Sequence, residues 1–64
     1  MITDIMNTIQ AAEYLGLSKP TLERYRTFGG GPRYAKIGAA VRYRKADLDT
    51  WVESRLVRST SEEI

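Results

Sequence analysis

The run Thr8-Ile9-Gln10-Ala11-Ala12-Glu13-Tyr14-Leu15-Gly16-Leu17-Ser18-Lys19-Pro20-Thr21-Leu22 holds two helix starts separated by one helix stop. Thr8, following the apolar Met6, predicts an N-cap, because its hydroxyl can take up a backbone N–H that a first turn leaves unsatisfied. Ala11, Ala12 and Leu15 then recur at helical spacing, and Gly16 stands where a helix end wants a left-handed residue. Ser18 is the next N-cap, and Pro20 falls in a first turn, where its missing N–H costs little. Leu22, Tyr25 and Phe28 share one face of this second helix. Two short helices joined through Gly16-Leu17-Ser18 cannot run collinearly, so they cross steeply as a helix-turn-helix.

Outward from this pair, Gly29-Gly30-Gly31-Pro32 ends the second helix, since neither a glycine triplet nor the residue before proline favours the right-handed helical region. Two β-prone runs follow, residues 33–37 and 41–45, and Gly38-Ala39-Ala40 between them predicts a hairpin with a three-residue loop. That register pairs Ile37 with Val41 and Ala35 with Tyr43 on an apolar face, leaving Tyr34, Lys36, Arg42 and Arg44 on a basic one. A last helix runs from about Ala46 to Arg55 or Leu56, with Leu48, Trp51, Val52 and Leu56 as its stripe and Asp47 and Asp49 at its positive end. Ser59 to Ile64 reads as a frayed, acidic tail. The expected architecture is mainly α with a β-hairpin, in the order α-α-β-β-α. Residues 1–5 form an arm, 6–56 the domain and 57–64 the tail. Trp51, Leu48, Leu22, Leu15, Ala12 and Ile37 are expected to meet in one core, with Tyr43 also inside.

Sixty-four residues make one domain at most, and a chain of that size buries only about 60% of its unfolded surface. Without cysteine there is neither a disulfide nor a thiolate metal site to supplement the core, and without histidine the commonest metal ligand and general base are missing. No apolar run reaches membrane-spanning length, and the N-terminus has no signal-peptide pattern. These bounds lead one to expect a cytoplasmic protein of a bacterium or phage, with no metal, cofactor or membrane. Charge is segregated. Between Lys19 and Lys45 eight cations face Glu23 alone, a net of +7, while the rest of the chain is net −5. One strongly positive stretch in a small domain is the footprint of a polyanion binder, although a solvated surface of no particular function would also accommodate it.

The co-linear series Thr8, Ala11-Ala12-Glu13-Tyr14-Leu15-Gly16-Leu17-Ser18, Gly31-Pro32-Arg33-Tyr34, Lys36-Ile37-Gly38, Val41-Arg42-Tyr43 and Asp47-Leu48-Asp49 to Trp51 resembles the AlpA/excisionase family of small MerR-type winged helix-turn-helix proteins. The resemblance implies double-stranded DNA as partner, with the second helix in the major groove and the hairpin, as a wing, on the adjacent minor groove or backbone. It also implies a regulator of transcription in a phage or mobile element, or an excisionase that steers an integrase. Further partners expected are RNA polymerase and, because a single small domain reads only a short site, other copies of the chain on DNA, side by side or as a dimer. Relatives carry basic or polar residues at the wing tip, whereas Ala39-Ala40 stand there in this chain, so contacts are expected from the strand flanks.

A helix reads the major groove only if its outward face carries hydrogen-bonding and cationic side chains. On the second helix the candidates are Ser18, Lys19, Pro20, Thr21, Glu23, Arg24, Arg26 and Thr27; on the hairpin they are Arg33, Tyr34, Lys36, Arg42 and Arg44. Arg24 can bridge a guanine and Glu23 can accept from a cytosine amino group, or Glu23 can simply pair with Arg26 three residues on. Tyr34 can pack on a sugar, or against Arg42 across the strands. An enzyme would need a positioned nucleophile and base, which so short a chain without histidine does not offer. The different-class alternative is a winged-helix module for protein interaction, an anti-repressor or adaptor that does not bind DNA.

Overall fold

In the computed structural model, which describes residues 4–57, Asn7 rather than Thr8 caps the first helix, α1 (Thr8–Leu15). The Asn7 side chain accepts the Gln10 N–H at 2.8 Å, and the Gln10 side chain accepts the Asn7 N–H at 3.0 Å, so two free donors are satisfied reciprocally. Thr8 becomes the first helical residue. At the other end Gly16 adopts φ 73°, and its N–H and that of Leu17 return to the carbonyls of Glu13 and Ala12 at 3.1 and 2.9 Å. Ser18 then caps α2 (Lys19–Phe28), its hydroxyl accepting the Thr21 N–H, with Pro20 in the first turn as expected. Gly29 ends α2 and donates to the Tyr25 carbonyl at 2.7 Å.

The hairpin consists of β2 (Ala35–Ile37) and β3 (Ala40–Arg44), and it differs from the sequence expectation by one residue. Ile37 pairs with Ala40, Lys36 with Val41 and Ala35 with Arg42. Gly38, at φ 62°, supplies the left-handed first position of a two-residue turn, so Ala40 is drawn into the ladder instead of the loop. A one-residue slip turns every side chain of a strand to the other face. Lys36 therefore shares the face of Val41, and Ile37, expected in the core, lies 62% exposed. A further strand, β1 (Ile5–Met6), pairs antiparallel with β3, Ile5 opposite Arg44 and Met6 opposite Tyr43. The sheet order is β1-β3-β2, and the chain order gains a strand before the first helix.

β3 runs directly into α3 (Lys45–Ser54), which starts one residue before the expected Ala46. The Lys45 N–H donates to the Asp4 carbonyl at 2.8 Å. Met6, Ala11, Ala12, Leu22, Tyr43 and Leu48 form the buried core, with Leu15 and Val41 packed against it. Trp51 is half-buried at the rim: its ring stands edge-on to Tyr25 at 5.2 Å, and its indole N–H donates to the Gly30 carbonyl at 2.8 Å. Burying the indole in the centre would have left that N–H without a partner, so the polar end holds the ring at the edge. Val52 and Leu56, the rest of the expected stripe, are exposed. The expected tail, Ser59 to Ile64, and the first three residues of the arm lie outside the described residues. Among those described, no helix is long and apolar enough to cross a membrane.

Candidate nucleic-acid interface

α2 is fixed from below by Leu22, which is fully buried, so the opposite face is set by helical geometry. Pro20, Arg24 and Thr27 occupy that face and are exposed. Among the described residues Arg24 has neither a carboxylate nor a hydrogen-bond partner. Its guanidinium is therefore free to meet a ligand. Ser18 and Thr21, by contrast, satisfy each other, with their hydroxyls 2.8 Å apart. Glu23 pairs with Lys19 at 3.4 Å, one turn back, and not with Arg26. Phe28, which the sequence reading places with Leu22 and Tyr25, turns outward and is 80% exposed. It sits one turn beyond Arg24 at the helix end, where Gly29 carries no side chain to cover it.

Arg26 faces the hairpin. Its Nη1 donates to the Tyr43 hydroxyl at 3.3 Å and to the Thr8 hydroxyl at 3.5 Å, tying α2 to β3 and α1. The bond to Tyr43 holds the guanidinium above its ordinary pKa, against the opposing effect of burial. The Tyr34 ring leans on Tyr43 at 5.9 Å between centroids, so its partner is an aromatic ring and not Arg42. Arg42 donates to its neighbour's carbonyl, that of Val41, at 2.8 Å. Lys19, Arg26 and Arg42 line one cleft of about 240 Å³ with Asn7, Thr8, Ile9 and Val41. Two cations of α2 and one of the hairpin thus converge there.

The hairpin register also corrects the expected basic face. Lys36 and Tyr34 fall on the face of Val41 and Tyr43, whereas Arg42 and Arg44 share the other face with Ala35. Arg44 is held by both carboxylate oxygens of Asp47, at 2.8 and 3.0 Å. Those bonds depress the Asp47 carboxyl and raise the Arg44 guanidinium, so Arg44 offers a matched charge. Arg33 is exposed beside α3, in a cleft with Asp47, Thr50, Trp51 and Ser54. Among the described residues Arg24, Arg33, Lys36 and Arg42 have no carboxylate partner. The exposed Lys19–Glu23 pair is weak enough in water to exchange Glu23 for a phosphate.

Sequence reasoning missed the device that sets the end of α2. Trp51 and Arg55 both donate to the Gly30 carbonyl, and the Arg55 guanidinium lies over the rings of Tyr25 and Trp51 at 5.7 and 5.1 Å. Gly31 passes so close to α2 that an added Cβ would stand 2.6 Å from that of Tyr25. The Trp51-to-Arg55 spacing of four residues is the signal that could have revealed the clamp. Among the described residues no cluster of acidic side chains is placed to hold a metal.

A family model described as a helix-turn-helix domain matches residues 5–56. No curated protein sequence matches the chain.

Proposed function

Because the chain belongs to this helix-turn-helix domain family, we propose that it is a sequence-specific double-stranded DNA-binding protein with α2 in the major groove and the wing on the neighbouring backbone. The observation that carries the reading is Arg24: an unpaired guanidinium at the centre of the outward face of α2, directly opposite the buried Leu22. A planar fork in that position matches the two acceptors that guanine presents in the major groove. Lys19 and Arg42, which share a cleft, and Lys36 on the hairpin are left for phosphates, and Tyr34 offers a half-exposed ring to a sugar.

In this reading the chain catalyses nothing. Its resemblance to the AlpA/excisionase proteins favours a role in a phage or mobile element, as a transcription regulator or as a factor that steers an integrase toward excision. The site is short, so useful affinity calls for neighbouring copies on the DNA. Enrichment of a binding site from a random duplex pool tests the proposal, followed by footprinting on the DNA flanking the chain's own gene. An enriched site whose affinity falls steeply with salt is expected. No enrichment, with no salt-sensitive retention on heparin, would instead favour the adaptor reading.

A further inference from the structure

An 80% exposed phenylalanine at the end of a cationic helix face is costly to leave in water and contributes nothing to the core. Phe28 is such a residue. With Thr21, Arg24, Tyr25 and Gly29 it lines an open cleft of about 310 Å³ on the flank of α2, between Arg24 and Tyr25. Gly29 has nothing within 4 Å of where its Cβ would stand, so one wall of the cleft is open to whatever the helix meets. Resting on the major-groove reading of α2, we propose that Phe28 contacts the 5-methyl group of a thymine and so acts as a specificity-determining residue beside Arg24.

Three arguments carry the assignment. Arg24 and Phe28 are four residues apart, hence on one side of the helix and about 6 Å apart along its axis. Base pairs are spaced about 3.4 Å apart, so the ring falls one or two base pairs from the position that Arg24 meets. The thymine methyl is the only large apolar group that the major groove displays, and an apolar side chain is its natural partner. Finally, the ring is flanked by Arg24, an unpaired cation, within a stretch of net +7. Charge complementarity therefore favours a polyanion over an apolar protein partner at this site.

The test uses the full chain and the duplex enriched from the random pool, with each thymine replaced singly by deoxyuridine, which lacks only the methyl group. Wild type should lose about fourfold in affinity at one thymine, one or two base pairs from the guanine sensitive to Arg24→Ala; that is the worth of one buried methyl group. Phe28→Ala should bind the unmodified duplex at least fourfold more weakly and be indifferent to the same replacement, while Phe28→Leu should keep part of the sensitivity. Since Phe28 is exposed, Phe28→Ala should melt at the wild-type temperature. If wild type and Phe28→Ala respond alike to every replacement, the inference fails and the DNA reading stands. If the pool yields no site at all, the DNA reading falls and takes this one with it.

Discussion

Arg24 and Arg42 carry the same charge in different surroundings, and their variants should behave differently. Arg24 is unpaired on the outward face of α2, so Arg24→Ala should cost about 1–3 kcal/mol on an enriched site and much less on a scrambled duplex. Arg42 already donates to the Val41 carbonyl and sits among cations. Arg42→Ala should weaken both duplexes alike and flatten the salt slope by about one unit. Fluorescence anisotropy on both duplexes over a salt series reads both outcomes; equal losses for Arg24→Ala would reduce it to a phosphate contact. Gly31 matters for space alone. Gly31→Ala places a methyl group 2.6 Å from the Tyr25 Cβ, where backbone or ring must shift, and should cost about 1–3 kcal/mol in thermal unfolding.

At the scale of elements, the ends of the helices carry separable contributions. Asn7→Ala removes the acceptor for the Gln10 N–H and should destabilise by about 1 kcal/mol, whereas Thr8→Ala should cost less, since Thr8 caps nothing and loses only the long 3.5 Å bond from Arg26; urea unfolding compares them. α1 and α3 are joined by the Tyr14 hydroxyl, which donates to the Asp49 carboxylate, with Lys45 close by. That bond is the main cause that lowers the Asp49 carboxyl and raises the Tyr14 phenol. A lowered carboxyl gives stability that is present above its ordinary value and lost as pH falls through the folded one. A raised phenol gives stability that is present below its ordinary value and lost as pH rises through the folded one. Tyr14→Phe should therefore blunt the fall of the unfolding midpoint at both ends, in strong acid and above about pH 10. Asp47, lowered chiefly by Arg44, should leave an acid limb in that variant.

For the whole molecule, a domain of this size has roughly 3–10 kcal/mol of net stability. Leu48 is fully buried where α3 meets the core, so Leu48→Ala should cost about 2–5 kcal/mol and leave the domain near its unfolding threshold. Trp51, half-buried at the rim, should cost less on truncation than the fully buried Leu48, and calorimetry should rank Leu48→Ala as more destabilising than Trp51→Ala. On the electrostatic side, four phosphate contacts, from Lys19, Arg33, Lys36 and Arg42, should give a slope of log K against log salt of about −4 on duplex DNA. A flat dependence would separate the charge segregation in the chain from any role in binding.

The sequence by itself determined the helix-turn-helix, because its signals are local: Gly16 ends one helix, Ser18 with Pro20 starts the next, and Ala12 and Leu22 mark the faces that meet. It also determined that Arg24 points away from the core, since a single buried residue two positions earlier fixes the phase of a short helix. What needed the tertiary structure was every choice between nearly equal local options. Gly38-Ala39-Ala40 can close a hairpin with two or three loop residues, and the third strand beside β3, too short to show any alternation, helps to fix which face of the hairpin turns inward. That choice moved Ile37 out of the core and parted Lys36 from Arg42. Trp51 reads as core by spacing, yet the Gly30 carbonyl draws its N–H to the rim. Phe28 shares its helix period with Leu22 and Tyr25, but the chain turns away at Gly29 before any neighbour can cover it. Periodicity gives the direction of a side chain relative to its own helix. Whether something lies in that direction is decided by the packing of distant parts of the chain.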